Sequence, residues 1–167
     1  MKVLFIGGTG KISSAVTALA VDKGFEMYLL NRGETDRPVP DGVQVLSGDI
    51  RDASSAKAAI GDLQFDTVVN WVAFTEEHIN ADIELFRGRT NQYIFISSAS
   101  AYQSPPVNLP VTESTPLDNP YWKYSQDKIA SEDRLMRAYR DEKFPMTVVR
   151  PSHTYDKTML PFQGGWT

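Results

Sequence analysis

Short apolar runs alternate with stretches of helical periodicity almost from end to end of the chain. Lys2 to Gly7 is an apolar run that ends in glycines, the pattern of a strand buried on both faces of a parallel sheet. Residues 11–23 follow with Ile12, Val16, Leu19 and Ala20 at helical spacing, and Gly24 stands where such a helix ends. Phe25 to Leu30 and Val43 to Leu46 predict a second and a third strand. Asp52 or Ser54 is suited to cap a helix through Ile60, closed by Gly61. Thr67 to Asn70 predicts the fourth strand, and Thr75 caps a helix carrying Ile79, Ile83 and Phe86 to Gly88. Tyr93 to Ser97 is the fifth strand, a long helix runs from about Tyr124 to Asp141, and Met146 to Val149 is the sixth strand.

Strands joined by helices predict an α/β domain with a parallel sheet, right-handed crossovers and the order 3-2-1-4-5-6 of a Rossmann-type, doubly wound fold. Ligands of such sheets bind outside the carboxyl ends of the strands. The least regular stretch is Gln103 to Pro120, with Pro105, Pro106, Pro110, Pro116 and Pro120. It reads equally as a plain surface loop or as a loop beside a substrate pocket.

Composition narrows the function classes. The 167 residues carry a formal charge of −4 and no basic stripe, which argues against nucleic acid as a partner. With no cysteine, neither disulfides nor thiolate metal sites form, which suits a reducing compartment. The apolar stretch at the N-terminus is too short for a signal peptide or a membrane span, so the expectation is a cytoplasmic protein without membrane contact. His78 and His153 lack ligand-like spacing. His78 follows Glu76 and Glu77, and a solvated helix start is favoured there over a metal site, so no metal is expected.

The strongest chemical signal is Gly7-Gly8-Thr9-Gly10, between the first strand and a helix starting near Lys11. Glycines let the backbone approach a pyrophosphate closely, and the helix N-terminus offers free N–H groups to the anion. Gly7, Thr9, Gly10, Lys11 and Ile12 are therefore expected to bind NAD(H) or NADP(H). The second strand ends in Leu30-Asn31-Arg32-Gly33 with no acidic residue to hold a ribose hydroxyl. Arg32 suits a 2′-phosphate and tilts the reading towards NADP, an ordinary surface arginine being the alternative. Beyond the third strand, Asp49 is placed to accept from the adenine amino group while Ile50 packs the ring, although Asp49 equally suits a turn.

Tyr124 and Lys128, four residues apart on a predicted helix, face one side, and Ser97 and Ser98 follow the fifth strand at the ligand edge. A tyrosine must lose about three pKa units, about 4 kcal/mol, to act as a base near neutral pH. A lysine cation about 4 Å away at an effective dielectric of about 20 supplies a comparable energy. Ser98 is then placed to hold the reacting oxygen. Tyr121 is the decoy at the helix start, and the order of glycine turn, Asp-Ile, serine pair and Tyr-Lys decides for Tyr124.

On these residues the chain resembles the extended short-chain dehydrogenases/reductases of the NAD-dependent epimerase/dehydratase family, which act mostly on nucleotide sugars. The likeness also includes Asn70-Trp71-Val72-Ala73, Ile96 to Tyr102, Tyr124-Ser125-Gln126-Asp127-Lys128 and Arg150-Pro151-Ser152-His153-Thr154-Tyr155, and so covers essentially the whole chain. It implies that Tyr124 is the acid/base, that Lys128 holds the nicotinamide ribose and lowers the tyrosine pKa, and that Ser98 positions the substrate oxygen. It further implies that Val72, Ala73, Ser97 and Pro151 line the cofactor. The reaction implied begins with hydride transfer at a sugar carbon and leads to epimerisation, dehydration or reduction.

Two departures from the family pattern stand out. Ser13 occupies the place of the third glycine, and the family usually runs to about twice this length. The expectation is a cofactor-binding domain over residues 1–155, with residues 156–167 beginning a truncated substrate region. Such a chain should bind cofactor but turn over poorly. A non-catalytic NAD(P) sensor or scaffold is the alternative, disfavoured by the joint presence of Ser98, Tyr124 and Lys128. The helices at 75–87 and 124–141 suit a four-helix homodimer contact, in which Leu135 and Met136 belong either to that face or to the core, the core being favoured.

Overall fold

The computed structural model describes residues 1–33 and 37–155. The apolar runs become strands β1 (Lys2–Ile6), β2 (Glu26–Asn31), β3 (Gln44–Ser47), β4 (Phe65–Asn70), β5 (Thr90–Ile96) and β6 (Met146–Val149). The helices are α1 (Lys11–Asp22), α2 (Ala53–Ile60), α3 (Glu76–Phe86) and α4 (Lys123–Glu142), with a short 3-10 turn at Ala99–Ala101. All six strands pair in parallel, in the order β3-β2-β1-β4-β5-β6 expected from the sequence. Residues 156–167, expected to begin a substrate region, lie outside the described residues.

Side chains alternate across the sheet and divide the core in two. Leu4 and Ile6 of β1 join Leu30, Val68, Ile79, Ile83, Phe86 and Leu135 on one face. Val3 and Phe5 join Met27, Leu29, Val69 and Ala20 on the other. This period of two in a strand covered on both sides explains why β1 and β2 read as continuous apolar runs. The helix ends also follow their sequence signals. Asp52 caps α2 by accepting from the Ser54 and Ser55 N–H groups, and Gly61 closes it at φ +56°. Two strands begin earlier than their apolar pattern suggests. β4 starts at Phe65 and β5 at Thr90 because these ends pair with one another, Phe65 opposite Thr90, despite the polar Asp66, Asn91 and Gln92.

One polar cluster sits inside this core. Asp82 of α3 is fully buried, and its Oδ2 accepts from Asn70 Nδ2 and Tyr93 Oη, each at 2.5 Å. Its Oδ1 has no hydrogen-bond partner among the described residues. Burial lifts the carboxyl from 3.8 to about 6, against the opposing pull of the Tyr93 hydroxyl and the Arg51 charge. The folded chain therefore binds this proton more tightly than the unfolded chain does. The contribution is greatest below the unfolded value and is lost as the pH rises to about 6. Asp82→Asn, neutral throughout, should gain on the wild type by up to about 3 kcal/mol between about pH 4 and pH 6. Urea unfolding of both chains across that range measures the difference, and a gap that stays flat with pH would contradict the raised carboxyl.

Candidate functional site

At Gly7 and Gly8 the turn between β1 and α1 leaves no room for a Cβ unless a neighbouring side chain moves. Gly7 has φ +83°, and a Cβ there would stand 2.5 Å from Val72 Cγ1. A Cβ on Gly8 would meet Leu29 Cδ2 at 2.3 Å. Ser13, in the place of the third family glycine, is buried and knits the turn together. Its hydroxyl accepts from the Gly10 N–H and donates to the Gly7 carbonyl, both at 2.8 Å. The Thr17 hydroxyl adds a bond to the Gly8 carbonyl at 2.9 Å. The departure from the glycine pattern is therefore a hydrogen-bonded substitute for it.

The turn opens on a cavity of about 470 Å³ along the carboxyl ends of β1 to β4. It gathers Gly7, Thr9, Asn31, Arg32, Asp49, Ile50 and Val72 from the residues singled out in the sequence. Arg51 and Phe74 line it as well, and sequence reasoning missed both. Arg37 is a third omission: it crosses from beyond β2 to donate to the Thr9 carbonyl at 2.9 Å. No local pattern signals these contacts, which join segments distant in sequence. The Asp49 carboxylate closes a local turn by accepting from the Arg51 N–H at 2.8 Å.

The remaining candidates stand outside the cavity lining. Gly10 caps α1, and Lys11 and Ile12 form its first turn. Ala73 is fully buried, and the Pro151 carbonyl accepts from the Ala99 N–H at 2.9 Å. Ser97 points into a buried cluster, where its hydroxyl donates to Glu132. Arg150 grips the same carboxylate through Nε and Nη2 and reaches Tyr102 Oη at 3.1 Å.

Lys128, Tyr124 and Ser98 meet at the carboxyl ends of β4 and β5. Lys128 is only 1% exposed, and its Nζ donates to the carbonyls of Ala73 at 2.7 Å and Ile96 at 2.8 Å. The ammonium lies over the rings of Phe95 and Phe74, at 4.6 and 4.9 Å. Burial pushes it down to about 8, with Glu132 pulling the other way. The half-buried Tyr124 packs against Trp122 at 4.8 Å between ring centroids.

Burial raises the Tyr124 phenol, and a hydrogen bond with Ser98 works against that rise. Lys128 Nζ stands 5.6 Å from the Tyr124 ring centroid and gives two of its three donors to the two carbonyls. The lowering of the tyrosine by the lysine, expected from their spacing, is not found: desolvation sets the upward direction, and Ser98 is the group that opposes it. The Ser98 hydroxyl continues to Ser100 Oγ at 2.9 Å, which accepts from Ser125 Oγ at 2.9 Å.

The proline-rich stretch folds back on this end of the sheet. Gln103 N–H donates to the Pro116 carbonyl at 2.8 Å, and Asn119 Nδ2 donates to that of Ser100 at 2.8 Å. A second cavity of about 470 Å³ lies there, lined by Ser100, Tyr102, Asn119 and Arg150 among others, so the loop borders a pocket. Tyr121 is exposed and precedes α4. His78 Nδ1 accepts from the Phe74 N–H at 3.1 Å, and the described residues contain no group of three or more His, Asp or Glu side chains suited to a metal. No described helix is long and apolar enough to cross a membrane. On α4, Leu135 belongs to the core, whereas Met136 is 39% exposed.

Comparison with known proteins agrees with this architecture. Residues 7–163 match the family described as NAD(P)H-binding. A UDP-glucose 4-epimerase of Lactobacillus helveticus is 27% identical, over 90% of this chain and 51% of its own length. Among solved structures, UDP-glucose 4-epimerase of Bifidobacterium longum in complex with NAD+ and UDP superposes with a TM-score of 0.75. It is 20% identical over 90% of this chain and 52% of its own. The dTDP-glucose 4,6-dehydratase of Bacillus anthracis in complex with NAD gives a TM-score of 0.75 at 19% identity, over 90% and 54% of the two chains. The chain thus spans about half the length of the relatives it matches, and the structural likenesses speak for the fold. With the family matched over nearly all of its residues, this chain belongs to the NAD(P)H-binding family.

Proposed function

We propose that the chain binds NADP(H), or NAD(H) less tightly, in the cavity along β1 to β4 and supplies the proton-transfer groups of an epimerase/dehydratase-type reaction on a nucleotide sugar. The observation that carries this reading is one continuous edge of the sheet. The glycine turn and cavity occupy one end of it, and Tyr124, Ser98 and Lys128 stand at the neighbouring ends of β4 and β5. The absence of Cβ atoms on Gly7 and Gly8 fits the close backbone approach that a pyrophosphate requires. Gly7, Thr9 and Gly10 with the first residues of α1 hold that pyrophosphate, and Asn31 and Arg32 face the adenine ribose. Asp49 and Ile50 flank the adenine, with Val72 opposite. Arg37, tied to Thr9, adds a further cation at the glycine turn.

When bound, the nicotinamide supplies the hydride acceptor or donor. Tyr124 takes or returns the proton of the substrate hydroxyl, and Ser98 orients that oxygen. Lys128, desolvated and titrating near 8, contributes its charge and a donor for the nicotinamide ribose. Because these 167 residues span about half the length of their relatives, the reading includes slow turnover by this chain alone. A cytoplasmic location and a homodimer through the outer faces of α3 and α4, where Met136 and Tyr139 are exposed, complete it.

Calorimetric titration with NADPH and NADH tests the reading. Arg32→Ala should weaken NADPH about tenfold or more, as loss of a charge-assisted hydrogen bond implies, and leave NADH within about twofold. A folded wild-type chain that binds neither cofactor would refute it. Tyr124→Phe should retain cofactor affinity within about threefold and lose at least about a hundredfold in hydride exchange with UDP-glucose as the probe. The near-ultraviolet absorbance of the reduced nicotinamide follows that exchange, and undiminished exchange in the variant would remove Tyr124 from the chemistry.

A further inference from the structure

The Val72–Ala73 turn lies beyond the end of β4, where the sheet ladder no longer holds it. Side chains hold it instead. The N–H groups of Val72 and Ala73 both donate to Asn70 Oδ1 at 2.8 Å. The Ala73 carbonyl accepts from Lys128 Nζ at 2.7 Å, and the Val72 carbonyl accepts from Arg51 Nη2. All four polar backbone atoms of the turn are thus engaged by residues from three separate parts of the chain.

Arg51 differs from the other two in standing on the opposite wall of the cavity. It follows Asp49 and Ile50 beyond β3, and its backbone is fixed by the Asp49 carboxylate at 2.8 Å. The bond to Val72 therefore ties the β3 side of the cavity to the β4 side. Val72 in turn is the residue whose Cγ1 occupies the space beside Gly7. Displacing Val72 opens or closes the cavity against the glycine turn. Buried Asp82 supports the arrangement through Asn70, and its charge attracts the Arg51 guanidinium.

We propose that Arg51 is a positioning residue for cofactor binding, which fixes the Val72–Ala73 turn through the Val72 carbonyl and so sets the width of the cavity between the β3 and β4 ends. The proposal rests on the reading of this cavity as the dinucleotide site. Because it acts on the turn, Arg51 affects NADH and NADPH alike, unlike a group that contacts the 2′-phosphate.

Two measurements on wild type, Arg51→Ala and Arg51→Lys decide the matter. The first is residue-resolved amide exchange by NMR on the cofactor-free chain. Arg51→Ala should speed exchange at Val72 and Ala73 about tenfold, as expected for one lost charge-assisted hydrogen bond, and leave Val69 and Tyr93 unchanged. The second is titration with NADH and NADPH, where Arg51→Ala should weaken both by the same factor of about ten. Arg51→Lys, which keeps one donor for the carbonyl, should recover part of each effect.

Unchanged exchange at Val72 and Ala73 would overturn the proposal. Exchange that rises equally across the sheet, or a loss confined to one cofactor, would overturn it too. A wild-type chain that binds neither cofactor refutes the dinucleotide reading, while the exchange pattern still decides whether Arg51 holds the turn.

Discussion

The structure depends on β1 having parallel partners on both sides, β2 on one edge and β4 on the other. From β1 the chain works outward through β2 to β3, then crosses back to β4 on the other side of β1. Where the order reverses, the carboxyl ends of neighbouring strands lead into connections that diverge, and a crevice opens between them. The cavity along β1 to β4 is that crevice. Its floor is the glycine turn, which fits only because Gly7 and Gly8 leave space for Val72 and Leu29. Sheet topology and turn composition are thus two parts of one constraint.

The second organising element is the burial of Lys128. Removing an ammonium from water costs several kcal/mol unless its donors are satisfied. Here the Ala73 carbonyl in the turn after β4, the Ile96 carbonyl at the end of β5 and two aromatic faces receive it. Through those two carbonyls the lysine also ties α4 to this edge of the sheet. Tyr124, one turn earlier on the same helix, is carried to the same edge. One turn later, Glu132 repeats the pattern with Ser97 and Arg150, joining α4 to the ends of β5 and β6. A single helix face thereby aligns the proposed reacting groups.

The same burial shapes the electrostatics. The phenol of Tyr124 is raised by desolvation, and Ser98 is the group that opposes the rise. A spacing of four residues brought Lys128 to the right side of the helix. It did not determine where the ammonium would spend its hydrogen bonds. Likewise, Asp82 reads in the sequence as an ordinary helix carboxylate, whereas the fold buries it against Asn70 and Tyr93.

By itself the sequence determined what depends on local pattern. Strand and helix identity followed from hydrophobic period, helix ends from Asp52, Gly24 and Gly61, and the glycine turn from its place between strand and helix. The sheet order followed as well, since right-handed crossovers leave few arrangements for alternating strands and helices. Tertiary structure alone decided the contacts between segments distant along the chain. Arg37 reaching Thr9, Arg51 reaching Val72 and Ser97 turning to Glu132 are such contacts, and so is the division between buried Leu135 and exposed Met136. The physical reason is that hydrophobic period reports which side of an element faces inward, while a polar side chain takes the partner that the packed elements bring within reach.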